Sequence, residues 1–117
     1  MNWLLVFLGG GLGSVFRYGL SLLLNGRAIM PWGTVAANLL ATSLLAYLIF
    51  HFQEGFSENQ RLFWMVGLCG GFSTFSTFSL ENWQLMQSQQ YFWLILNLFL
   101  SIGGALFVFF WWAKASV

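Results

Sequence analysis

Long runs without a charged side chain, separated by short polar segments, organise this sequence. Residues 1 to 16 carry no charge, Arg17 follows, and apolar sequence resumes to Leu24. A membrane-crossing helix needs about 20 mostly apolar residues, so this run predicts a first helix over 3–24. Asn25-Gly26-Arg27 is a turn signal. Pro31-Trp32-Gly33-Thr34 reads as a helix start, with proline suited to the first turn and Trp32 to a membrane interface. A second helix is predicted over 33–52. The longest polar loop follows, from Gln53 to Gln60, and a third helix over 61–83. Gln84 to Gln90, with four Gln, forms the next loop. The fourth helix spans 91–112, with Lys114 snorkelling at its end.

Composition turns four apolar helices into four membrane spans. Charged residues make up 6% of the 117, against roughly 25% in a soluble domain. Aromatics reach 21% and the mean hydropathy is +0.77. A soluble globule of this size has too few polar groups here to cover itself, and a disordered chain would be poor in apolar residues and rich in charge. The fold class is therefore all-α integral membrane, with residues 1–117 forming a single membrane domain. Four spans use about 80 residues, which leaves only short loops. Net charge is +1 without a basic run, so no nucleic-acid partner is expected. Cys69 is alone, excludes an intramolecular disulfide and reads as a buried spectator. The first apolar segment has no basic residue before Arg17 and no small-residue cleavage site, and is expected to stay as a helix.

Four spans put both termini on one face, with Arg61 and Lys114; Arg17 and Arg27 go to the other. Orientation follows Lys/Arg bias between faces, and here the bias is nil. The chain is expected to insert both ways and to pair with an inverted copy of itself.

Chemistry concentrates in the third helix. Gly67-Leu68-Cys69-Gly70-Gly71-Phe72-Ser73-Thr74-Phe75-Ser76-Thr77-Phe78-Ser79-Leu80-Glu81 places three glycines and five hydroxyl residues within one span. The pair Gly70-Gly71 weakens the helix, and Ser/Thr side chains re-satisfy freed backbone groups. A helix broken at mid-membrane there exposes carbonyl oxygens, hard ligands suited to Na⁺; close packing through small residues accounts for the pattern equally well. Phe75 and Phe78 share a helix face, and the positive edges of their rings suit an anion path, although ordinary packing is the commoner reason for such a pair. On the second helix Thr34, Asn38 and Thr42 make one polar stripe at four-residue spacing. That stripe faces a partner helix or a pore. Asn97 and Ser101 repeat it on the fourth. Gly9 and Gly13 permit close helix approach. Arg17 snorkels, attracts anions at a pore mouth or holds a helix end; Glu81 is its candidate partner or an interface residue. His51 reads as interfacial. No metal cluster, nucleophile–base pair or phosphate loop points to an enzyme.

These motifs resemble the Fluc (CrcB-type) fluoride channels of microbial membranes. The resemblance rests on Gly10-Gly11-Leu12-Gly13-Ser14 with Arg17, on Pro31-Trp32-Gly33-Thr34 with Asn38, and on Gly70 to Ser79 with Glu81. It implies an antiparallel, dual-topology homodimer with two fluoride pores in the cell (inner) membrane, exporting fluoride passively to relieve its toxicity. It also implies Asn38, Phe75, Phe78, Ser76 and Thr77 as pore residues and Arg17 in the vestibule. Gly70 and Ser73 would hold a structural Na⁺ through backbone oxygens at the dimer interface. Thr34, Thr42, Asn97, Ser101 and Glu81 would line or support the pore. Ser73 stands where the family more often has Thr, Ala41 and Ala46 where it often has Gly, and Asn97 where it often has Tyr. Two other classes fit the length and charge: a dual-topology small multidrug exporter, which needs a membrane-buried carboxylate for proton coupling, and an assembly subunit of a larger membrane complex.

Overall fold

The computed structural model describes residues 2–25, 29–52 and 55–115. Helix α1 covers Asn2–Leu24 and α2 covers Trp32–Phe52. α3 has two arms, residues 58–72 and Ser76–Gln87, and α4 runs over Tyr91–Ala115. α1, α2 (to His51) and α4 are each long and apolar enough to cross a membrane.

The boundaries have local causes. Asn25 accepts the Gly33 N–H through its Oδ1 at 2.6 Å, so the first loop caps the start of α2. α3 begins earlier than residue 61, because Ser57-Glu58-Asn59-Gln60 is a capping box: the Gln60 N–H donates to Ser57 Oγ and the Ser57 N–H to Gln60 Oε1. It also runs past residue 83 to Gln87, so the expected loop from Gln84 shrinks to a turn at Ser88–Gln90, with Gln89 at φ 61°. Arg27, Gln53 and Glu54 lie outside the described residues.

α1 and the first arm of α3 meet backbone to backbone. A Cβ on Gly9 would lie 2.5 Å from the Phe63 carbonyl oxygen, and one on Gly67 would lie 3.0 Å from the Gly9 Cα. Cβ atoms on Gly13 and Gly71 would overlap the Leu68 and Gly10 carbonyl oxygens. The Gly9–Gly13 pair therefore serves contact within the chain. Lipid tails are as apolar as leucine, so the gain comes from dispersion contacts that only hydrogen-sized side chains allow.

Helical bonding in α3 stops where the Ser73 N–H reaches the Cys69 carbonyl at 3.1 Å. Ser73 is extended, with φ −84° and ψ 158°. The sequence places the weak point at Gly70-Gly71, and this is corrected: Gly70 is helical, with φ −64° and ψ −37°, and Gly71 is also in the helix, packed on Gly10. The glycines serve close approach, and the stop falls three residues after Gly70, among hydroxyl residues that replace the lost backbone partners. α3 between residues 62 and 69 and α4 between Phe99 and Gly103 have wide π turns, a feature common at functional sites.

Candidate functional site: a polar seam around residues 73–75

Asn38 holds the extended link. Its Oδ1 accepts the Thr74 N–H at 2.8 Å and its Nδ2 donates to the Thr74 carbonyl at 3.3 Å. One side-chain amide thus pairs with both polar groups of one residue, as a neighbouring strand would. The N–H of Thr74, which would have closed the next helical bond onto the Gly70 carbonyl, is spent on Asn38. The Thr74 hydroxyl then accepts the Thr77 N–H at 3.1 Å and starts the second arm.

The stripe on α2 divides its work. Thr34 donates to Glu81 Oε2 at 2.9 Å, whereas Thr42 donates back to the Asn38 carbonyl at 2.7 Å. Arg17 donates from Nε to the Gly71 carbonyl at 3.3 Å, so it covers the carboxyl end of the first arm, where the helix dipole is negative. Arg17 and Glu81 are not partners: each is hydrogen-bonded elsewhere. Glu81 Oε1 is buried without a partner among the described residues, and the residue lines a cavity of about 330 Å³ with Asn25, Gln84 and Ser88.

A second cavity, of about 390 Å³, lies beside the link and includes Asn38, Thr42, Phe75, Phe78 and Ser101 in its wall. The two rings are 6.1 Å apart and tilted by 48°. Phe78 is 6% exposed and Phe75 79%. Ser76 and Thr77 do not line this groove, and Ser76 is exposed. Gly70 and Ser73 share a smaller cavity of about 140 Å³ with Thr42, Met65 and Cys69. The Ser73 hydroxyl donates to the Cys69 carbonyl at 3.0 Å. Among the described residues, no heavy atom outside the helix backbone lies within 4 Å of where a Gly70 Cβ would stand.

On α4, Asn97 is fully buried and donates from Nδ2 to Asn82 Oδ1 at 2.7 Å, while Ser101 donates to Asn97 Oδ1 at 3.3 Å. Sequence reasoning missed Thr74 and Asn82 as functional residues. Thr74 carries a local signal, a hydroxyl three residues before Thr77; Asn82 carries none, because its partner is on another helix. His51 packs against Tyr47 and Trp112 at ring distances of 5.0 and 5.7 Å, and Lys114 lies 4.9 Å over the Phe110 ring.

The family model described as "CrcB-like protein, Camphor Resistance (CrcB)" matches residues 4–113. The chain belongs to the CrcB family. Among curated CrcB relatives it is 42% identical to the "Fluoride-specific ion channel FluC" of Serratia proteamaculans (strain 568), over 88% of this chain and 84% of the relative. It is also 42% identical to the protein of that name from Pyrococcus furiosus, over 91% of this chain and 88% of the relative. A third such relative, from Phocaeicola vulgatus, is 45% identical over 75% of each chain. With its apolar helices, this CrcB member is a multi-pass membrane protein.

Proposed function

We propose that the protein is a fluoride-selective channel, and not an enzyme, that lets fluoride leave the cell passively through the inner membrane and so limits its toxicity. Its relatives' names support fluoride as the ion. The observation that carries the reading is the groove beside residues 73–75, which combines amide and hydroxyl groups with two aromatic rings and, among the described residues, no charged side chain in its wall. Stripping a small anion of water costs tens of kcal/mol in a low-dielectric medium. Donors must replace the water without holding the ion, because a channel site has to release what it admits. Asn38 has a second amide hydrogen beyond the one given to Thr74, and the ring edges of Phe75 and Phe78 carry positive potential.

The working unit would be an inverted homodimer with two pores, the third span being interrupted at mid-membrane. Exposure of Phe75 and Gly70 supports a second copy meeting this face, where Ser76 and Thr77 would contribute hydroxyls to the paths. Arg17 would stand in the vestibule, and Thr34, Glu81 and Asn97 would support the pore. The backbone oxygens of Gly70 and Ser73 fit a structural Na⁺ at the interface: they lie where helical bonding stops, and Asn38 has taken the Thr74 N–H from Gly70. Bound there, the ion would supply a positive field beside the groove, with which it shares Thr42 and Ser73.

The test is efflux from liposomes containing only the purified protein. Fluoride efflux without chloride efflux is expected, and no flux of either ion would overturn the reading. Proton movement driven by an organic cation would favour an exporter.

A further inference from the structure

Asn97 is a fully buried amide in the middle of a hydrogen-bond chain. Ser101 donates to Asn97, which donates to Asn82. The chain begins at the groove wall, since Ser101 lines the cavity beside Phe75 and Phe78, and ends on the second arm of α3. In this direction the Ser101 hydrogen points away from the groove, and only its lone pairs face it. An anion needs the opposite.

The two ends of a carboxamide are almost equal in size, and one donates where the other accepts. Turning both amides over by half a rotation fits the same space. Asn82 then donates to Asn97, Asn97 donates to Ser101, and the Ser101 O–H is released to donate into the groove. Each link is kept in both directions, so reversal leaves no buried amide unpaired. We propose that Asn82 and Asn97 form a reversible hydrogen-bond relay that decides whether Ser101 offers its lone pairs or its O–H to an anion in the groove. Asn82 and Asn97 are positioning residues, acting through Ser101. The relay rests on the channel reading and adds to it a device that answers the ion's arrival without moving a helix.

The experiment compares fluoride efflux from liposomes for the unmutated protein, Ser101→Ala, Asn97→Leu and the double variant, each first shown to be folded by size-exclusion and thermal unfolding. Losing one donor at the groove slows efflux by about fivefold, the worth of one net hydrogen bond. Asn97→Leu removes the carbonyl that holds the Ser101 hydrogen, so the hydroxyl is free to turn to the groove and efflux should stay within about twofold of the unmutated protein, while the double variant should match Ser101→Ala. A slowing in Asn97→Leu as large as in Ser101→Ala, or a further slowing of the double variant beyond Ser101→Ala, would overturn the relay while leaving the channel intact. No efflux from the unmutated protein sinks the channel reading and the relay with it. Asn97→Asp guards against a leucine variant that fails to fold. An ionised Asp accepts only, so it pins the Ser101 hydrogen away from the groove. Relative to the unmutated profile, its efflux should fall as pH rises from about 6 to about 9, the range a buried carboxyl can reach. A flat ratio overturns the proposal.

Discussion

The side chain of Asn38 pairs with both backbone polar groups of Thr74, at 2.8 and 3.3 Å. A link that has left the helix would otherwise strand those groups where lipid offers no hydrogen bond. Asn38→Leu keeps the branched shape and removes both bonds. It is expected to lower stability by about 2–3 kcal/mol, one unsatisfied pair, and to abolish fluoride efflux. Asn38→Asp keeps the acceptor for the Thr74 N–H but sets a carboxyl oxygen against the Thr74 carbonyl within a span, so it should lose stability as well as efflux. Thermal unfolding in detergent and liposome efflux separate the two effects.

Phe75 and Phe78 should differ in what they contribute to the fold of one chain. Phe78 is 6% exposed and Phe75 79%, so truncating Phe75 costs little packing within the chain. Phe75→Ile should leave the fold of one chain within about 0.5 kcal/mol of that of the unmutated protein and still slow fluoride efflux. Phe78→Ile should slow efflux and also lower stability, by about 1–3 kcal/mol. Normal efflux in both variants would contradict an anion path along these rings.

Glycines along α1 should differ sharply in tolerance. A Cβ at Gly9 or Gly13 would collide with α3 backbone, whereas one at Gly11 meets nothing within 4 Å. Gly9→Ala and Gly13→Ala are each expected to cost about 1–3 kcal/mol by forcing two helices apart. Gly11→Ala should be neutral or mildly stabilising, since alanine is the better helix former. Melting curves of the three variants decide this.

Gly70 offers a test of the proposed cation site that does not depend on flux. Its Cβ position is open within one chain, so Gly70→Ala should leave the monomer fold undisturbed. If a second copy and Na⁺ meet there, the variant should dissociate more readily. In that case the unmutated protein should likewise melt earlier when Na⁺ is replaced by N-methylglucamine. Crosslinking yield and melting temperature, with and without Na⁺, report both effects.

Much of this architecture was legible in the residue pattern, for physical reasons that particular residues make plain. Charge-free runs fix where α1, α2 and α4 lie, because few other sequences tolerate lipid. Thr34, Asn38 and Thr42 were legible as a seam, since a polar stripe on an apolar helix needs a destination. The pattern was silent on the destinations themselves. Thr42 bonds its own helix while Asn38 reaches across to Thr74, and both choices fit the same spacing. The stop in α3 was misplaced onto Gly70-Gly71 because glycine both weakens helices and admits close neighbours. Only the position of Gly10 shows which property is used. Ser57 and Gln60 did carry a readable start signal, hidden within a segment dominated by polar residues. Asn82 could not be singled out, because its importance arises from Asn97 on another helix.

The glycine contact between α1 and the first arm of α3 splits the molecule mechanically. One half is clamped main chain to main chain and has no side-chain slack to absorb displacement. The other half, the link and the second arm over residues 74–87, is tethered by the tips of Asn38, Thr34 and Asn97, bonds that rotamers can stretch or trade. Thermal jitter should therefore gather in the second arm, giving the groove beside it a pliable wall mounted on a stiff frame.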